Sequence, residues 1–256
     1  MAAYGAVKQA VTTDRAAATD RRSSAPMSAE VLDNPVWAAL NGPHRRFAEH
    51  GPAGLAARYT LDTSPFAGLG DPEDPRAWAD LAELVGPGEE VWLTGLPTPP
   101  PGWETVLNLP GVQLDGRGVR AEAAPEAVVL GPGDVPEMLE LVALTRPGPF
   151  LDRTVELGTY LGIRHEGRLV AMAGERMRPP GWSEISAVCT HPEHRGRGAA
   201  ARLIRAVAWA VRERGDVPFL HAAAANTSAV RLYEAMGFTL RRRPVFLGLR
   251  TPAKEA

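Results

Sequence analysis

Apolar positions in the second half of the chain recur with two different periods. Ile185, Ala187 and Cys189 alternate with Glu184, Ser186, Val188 and Thr190, the period of a strand with two unlike faces. His191-Pro192 ends that strand, because proline donates no ladder hydrogen bond and pushes its neighbour away from helical geometry. Beyond Arg195-Gly196-Arg197-Gly198-Ala199-Ala200-Ala201 the period lengthens. Leu203, Ile204, Val207, Ala208 and Val211 fall on one helical face, and Arg202, Arg205, Arg212 and Arg214 on the other. A loop of small residues therefore opens a helix. The first amides of a helix lack intrahelical partners and sit at the positive end of its dipole, so such a loop can seat a phosphate.

The same reading extends in both directions. Residues 1–27 are rich in Ala, Thr, Ser and Asp without a sustained period, which predicts a disordered or loosely helical tail. Helix is predicted over 29–47, interrupted at Asn34-Pro35, where Asn34 can cap a helix carrying Val36, Trp37 and Leu40. A short strand follows at 58–61, then a helix through Trp78, Leu81, Leu84 and Val85, started by Asp74-Pro75 and stopped by Gly86-Pro87-Gly88. Residues 90–94 read as a strand and 97–102 as a proline-rich loop. Trp37, Trp78 and Trp92 read as core. A boundary is expected over 115–124, where DGRGVRAEAA has glycine and charge but no period. After it come a strand at 127–130 and a helix over 134–145 with Val135, Met138, Leu139, Leu141 and Val142 inward. A hairpin follows, 160–164 and 169–178, closed around His165-Glu166-Gly167. Downstream of the arginine-faced helix lie a strand at 217–222, a helix at 226–236 ended by Gly237, and strands at 238–241 and 244–248.

Two motifs in this order carry a resemblance. Arg195-x-x-Gly198-x-Ala200 resembles the R/Q-x-x-G-x-G/A loop of the GCN5-related N-acetyltransferases (GNAT), and Asn226-Thr-Ser-Ala-Val-Arg-Leu-Tyr233-Glu-Ala-Met-Gly237-Phe238 resembles their second motif, N-x-x-A-x-x-L-Y-x-x-x-G-F. The likeness covers roughly residues 126–250 and is nearest in style to FR47-like members. It implies an α/β fold with a mixed sheet, a GNAT acyl-CoA N-acyltransferase domain over 121–256, behind a smaller α/β domain over 28–120 that can be a degenerate GNAT-like half. It also implies acetyl-CoA as acyl donor. Its pyrophosphate would lie on Arg195, Gly196, Arg197, Gly198, Ala199, Ala200 and Ala201, and its pantetheine arm on the main chain of Val188, Cys189 and Thr190 along an opened strand edge, with Asn226 in contact. Cys189 needs no nucleophilic role, since transfer in the family is direct.

Acetyl transfer to an amine requires the amine to be neutral. At a pKa near ~10.4 that costs on the order of 4 kcal/mol at pH 7 unless a base or desolvation helps. Glu184 and His221 are the candidate bases, weighed against a solvent-facing strand carboxylate and a packed, hydrogen-bonded histidine. Tyr233 is the candidate general acid. It follows Asn226 by seven residues, two helical turns, so both reach one helix face. The plain alternatives are an N-cap for Asn226 and a core aromatic for Tyr233.

Composition narrows the function classes. A net charge of −2 over 256 residues provides no basic field for nucleic acid, and the run Arg241 to Arg243 lacks interleaved aromatics. Basic residues are nearly all arginine, the lysines being Lys8 and Lys254, a mark of a GC-rich, bacterial-type genome. A single cysteine and no zinc-spaced Cys/His cluster favour a reducing compartment and no structural metal. No apolar run can span a bilayer, and the N-terminus has no secretory pattern. The expectation is a cytoplasmic enzyme acting on a small-molecule or peptide amine, with no nucleic acid or membrane partner and a homodimer left open. A silent acyl-CoA sensor and an arginine-rich DNA-associated scaffold are the competing classes.

Overall fold

The computed structural model describes residues 28–95 and 98–253, so the expected N-terminal tail lies outside the described residues. A 3-10 turn at Ala29–Asp33 leads into helix α1 (Pro35–Leu40). Asn34 does not cap it with its side chain; the amide instead donates to the Leu69 carbonyl at 2.6 Å, trading a local cap for a long-range tie. Strands β1 (Ala48–His50), β2 (Ala56–Tyr59) and β3 (Ala67–Leu69) form an antiparallel meander, followed by helix α2 (Pro75–Val85) and strand β4 (Glu90–Thr94). Asp74 caps α2 by accepting from the Arg76 amide.

Strand β5 (Glu104–Asp115) is the longest element that the sequence pattern does not announce, β1 and β3 being the short ones. Pro110 breaks its period, since proline belongs in strand interiors only where no ladder donor is needed. Here the strand changes partners at that residue. Residues 104–110 pair with β12 (Val245–Arg250), whereas 111–115 pair with β11 (Thr239–Arg242) on that same edge and with β10 (Val217–Ala223) on the opposite one. The Pro110 carbonyl is not wasted, accepting from the Ala224 amide at 2.9 Å.

The chain continues through β6 (Val128–Leu130), helix α3 (Val135–Thr145), the hairpin β7 (Tyr160–His165) and β8 (Arg168–Glu175), and β9 (Trp182–Thr190). Helix α4 (Ala199–Glu213), β10, helix α5 (Thr227–Ala235), β11 and β12 complete it. The main sheet runs β4-β12-β5-β10-β9-β8-β7-β6, with β11 attached to β5. Helix α4 packs on one face through Leu203, Ile204 and Val207, and α3 on the other through Met138 and Leu141. Arg214, expected on the solvent face, turns inward at the C-cap of α4 and pairs with the fully buried Glu175.

The two halves repeat one plan. A meander, a helix and a strand parallel to the last meander strand occur as β1-β2-β3, α2, β4 and again as β7-β8-β9, α4, β10; Phe66 bridges Trp92 in parallel in the first, and β10 pairs β9 in parallel in the second. Each half then lends its following strand to the other, β5 lying against β10 and β12 against β4. Residues 104–115, which the sequence reading placed in an N-terminal domain, therefore lie inside the sheet of the C-terminal part. A shared core of Leu32, Tyr59, Phe66, Trp182, Phe219 and Phe246 joins them.

Candidate active site

The parallel pairing of β9 and β10 stops at Ile185 and Leu220, although β9 runs on to Thr190 and β10 to Ala223. The two strands part there, and the edge of residues 186–190 has no partner strand on the β10 side. The cause is local. Between the pairs Met172–Cys189 and Gly174–Ser186, one residue of β8 faces two of β9, and the extra residue, Ala187, adopts a left-handed φ of 51°. Such a bulge bends the strand and shifts its alternation by one position. Ile185 consequently faces the α4 core, while Ala187 and Cys189 face the α3 core, so the regular alternation expected for 184–190 breaks at this point.

The opened edge is one wall of a cleft of about 700 Å³. Val188, Cys189 and Thr190 line it from β9, Arg195, Gly196 and Ala200 from the loop and α4, and Asn226 and Tyr233 from α5. Arg197, Gly198, Ala199 and Ala201 lie beside this group without lining the cleft. Gly198 is the N-cap of α4, with φ 74° and no side-chain cap. Gly196, with φ 77°, has open space where a Cβ would stand. Arg202 braces the loop, donating through Nη1 to the Arg197 carbonyl at 2.8 Å while its Nε pairs with Glu126 at 2.6 Å. The start of α4 therefore keeps its amides for an external anion, in contrast to α2, where the acidic loop Asp71-Pro72-Glu73-Asp74 supplies its own cap.

A CoA thioester fits these residues. The cleft offers an uncapped helix start at one end, free main-chain edge along its length, and the buried Thr190 hydroxyl, which has no partner among the described residues. Asn226 both caps α5, accepting from the Ala229 amide at 3.2 Å, and lines the cleft. Tyr233 is buried with its ring edge-on to Phe238. Burial pushes its phenol up to about 12, so it stays protonated as an acid must. Burial likewise raises the Cys189 thiol to about 11, consistent with a thiol that remains unreactive.

The two candidate bases are both engaged. Glu184 is fully buried, and Arg176 grips it with two hydrogen bonds of 2.7 and 3.0 Å. Burial alone would raise this carboxyl, but the Arg176 charge and the His221 hydrogen bond overcome that and hold it at about 2. His221 donates from Nδ1 to Glu184 at 2.8 Å, and its Nε2 accepts from the Gln113 amide at 3.0 Å. That tautomer follows from the network. Arg241 donates to Gln113 Oε1 at 2.7 Å and Leu32 O accepts from Gln113 Nε2 at 2.8 Å, which fixes the orientation of the amide. Glu184 is thus neither solvent-facing nor in the cleft, while the His221 ring, buried at its side chain, borders the cleft.

Along β9 from Thr190 towards Ile185 the cleft passes from the loop end to a second end that sequence reasoning missed. Phe66, Trp92 and Leu109 from the first half meet Phe246, Arg176 and His221 there. Trp92, expected in the core, lines this end, whereas Trp78 is core as expected. No periodic signal marks these positions, because they become neighbours only through the exchange of β5 and β12. Among the described residues no group of His, Cys, Asp or Glu could hold a metal ion, and no helix is long and apolar enough to cross a membrane.

A split parallel strand pair, with an uncapped helix start beside it, defines an acyl-CoA-dependent acyltransferase architecture. Comparisons agree. A family model for FR47-like proteins matches residues 160–247. A structure described as that of a GNAT-family acetyltransferase from Novosphingobium aromaticivorans is 43% identical, covers 88% of this chain and 99% of its own, and superposes with a TM-score of 0.77. A GCN5-related N-acetyltransferase from Kribbella flavida, 18% identical over 83% of this chain and 93% of its own, shares the fold with a TM-score of 0.56. A search among curated proteins finds no match. The chain belongs to the GNAT family of acyltransferases.

Proposed function

We propose that the protein transfers an acetyl group from acetyl-CoA directly to an amine. The observation that carries this reading is the parting of β9 and β10 beyond Ile185 and Leu220, next to the uncapped start of α4. In it the α4 amides and Arg195 take the pyrophosphate, and the main chain of 188–190 takes the pantetheine arm as an added strand. The amides of the Ala187–Val188 bulge would face the thioester carbonyl, whose oxygen gains charge as the nitrogen attacks. Tyr233 then protonates the departing sulfur. The buried thiol and the absence of a membrane-length helix among the described residues are compatible with a cytoplasmic enzyme.

One observation favours a silent acyl-CoA sensor instead, namely that Glu184 and His221 are both tied into hydrogen bonds. An acceptor screen with acetyl-CoA, reading free thiol and the mass of the product, separates the two. Thiol release matched by an amine gaining an acetyl group is expected. A melting temperature that rises with acetyl-CoA, with no thiol released for any amine, would leave only the sensor.

A further inference from the structure

The acceptor end of the cleft carries a chemical preference, and this inference rests on the acetyltransferase reading above. The titratable and charged groups lining the whole cleft are Arg146, Arg176, Arg195, His221, Cys189 and Tyr233; no Asp or Glu lines it among the described residues. An ammonium would enter a site whose facing charges are all positive. Once inside, it would find no resident base. The Glu184 oxygens are held by Arg176 and His221, and the His221 Nε2 lone pair is held by Gln113. Around the place where the amine must sit, the walls are aromatic. Phe66 stands edge-on to Trp92 at 5.9 Å and tilted to Phe246 at 6.3 Å, with the Arg176 guanidinium 4.9 Å above the Phe66 ring.

We infer that the acceptor is a weakly basic amine with an aromatic-sized apolar body, taken up in its neutral form, and not a polycation. The first half of the chain is then the part that reads the acceptor. Electron and proton balance needs no base from the protein. The neutral nitrogen attacks the thioester carbon, the C–N bond forms as the C–S bond breaks, and one nitrogen proton ends on the sulfur through the Tyr233 hydroxyl. Amide and free CoA thiol leave.

The test compares amines of similar body and different basicity with the full-length protein and acetyl-CoA: 4-methylaniline, phenylalaninamide, phenethylamine, and the polycations spermidine and kanamycin. At pH 7 an alkylamine is neutral in roughly one molecule in 2,500 and an α-amine in about one in ten, whereas an arylamine is neutral almost entirely. We expect kcat/KM to fall from 4-methylaniline through phenylalaninamide to phenethylamine and the polycations to stay at background. Expressed per neutral amine, the values for the three aromatic compounds should agree within about tenfold, and phenethylamine should gain tenfold per pH unit between pH 7 and 9. Trp92→Ala should raise KM for these amines by about tenfold while the affinity for acetyl-CoA holds, with Trp92→Leu as the milder variant if the first is unstable. Preference for spermidine or kanamycin, or a phenethylamine rate that does not change between pH 7 and 9, would overturn this inference and leave acetyl transfer intact. Thiol release with none of the five but with another amine of the acceptor screen would overturn this inference alone, and release with no amine at all would overturn both.

Discussion

Single side chains decide whether this cleft can perform chemistry. Tyr233 keeps its proton to about 12 because burial disfavours the phenolate, and among the described residues no other phenol lines the cleft. Tyr233→Phe should leave acetyl-CoA affinity unchanged and lower the transfer rate by about 10² to 10⁴, measured by stopped-flow thiol release; a rate within threefold of wild type would remove the acid role. Glu184 belongs to structure in the first instance. Its carboxyl sits at about 2 when folded against an ordinary value of 4.5, so its contribution is present above about 4.5 and is lost as pH falls through 2. Glu184→Gln leaves Arg176 buried without its counter-charge. It should cost about 3–5 kcal/mol at pH 7 by urea unfolding, with the gap to wild type closing towards pH 2. A gap independent of pH would show that the carboxylate charge is not what matters.

At the scale of elements, the proposed reading gives the start of α4 and the bulge in β9 a joint task, one to seat the anion and the other to open the edge beside it. Ala200 lies in the first turn of α4 and lines the cleft. Ala200→Glu places a carboxylate where the helix dipole favours it by about 0.3–1 kcal/mol and where the proposed reading puts the pyrophosphate. The melting temperature should hold or rise while calorimetric affinity for acetyl-CoA collapses, and unchanged affinity would move the pyrophosphate elsewhere. The loop and both motif helices were legible in the sequence because each rests on local rules: small residues before an amphipathic period, an asparagine cap, a glycine stop. Strand β5 was not legible, since Pro110 hides a strand that changes partner there. The bulge was hidden as well, because Ala187 carries no mark of its left-handed backbone. Gln113, which holds the His221 tautomer, could be found only once β5 was known to lie against β10.

For the whole molecule, the exchange of β5 and β12 makes the two halves one folding problem. Trp182 and Phe219 of the second half are completely buried against Leu32, Tyr59 and Phe66 of the first. A fragment of residues 122–256 would lose β5, leaving the β10 edge open and those two rings in water. It should aggregate or show no cooperative melting, whereas a soluble fragment that melts cooperatively and binds acetyl-CoA would show that the second half stands alone. The acidic start of α2 leaves the first half without an anion seat, so one CoA per chain is expected. The most direct measurement is a crystal structure of the full-length protein with CoA. Pantetheine lying between residues 186–190 of β9 and 221–223 of β10, with the pyrophosphate on the amides of 196–201, is the predicted result; CoA bound in the first half, or lying outside that split, would contradict the account.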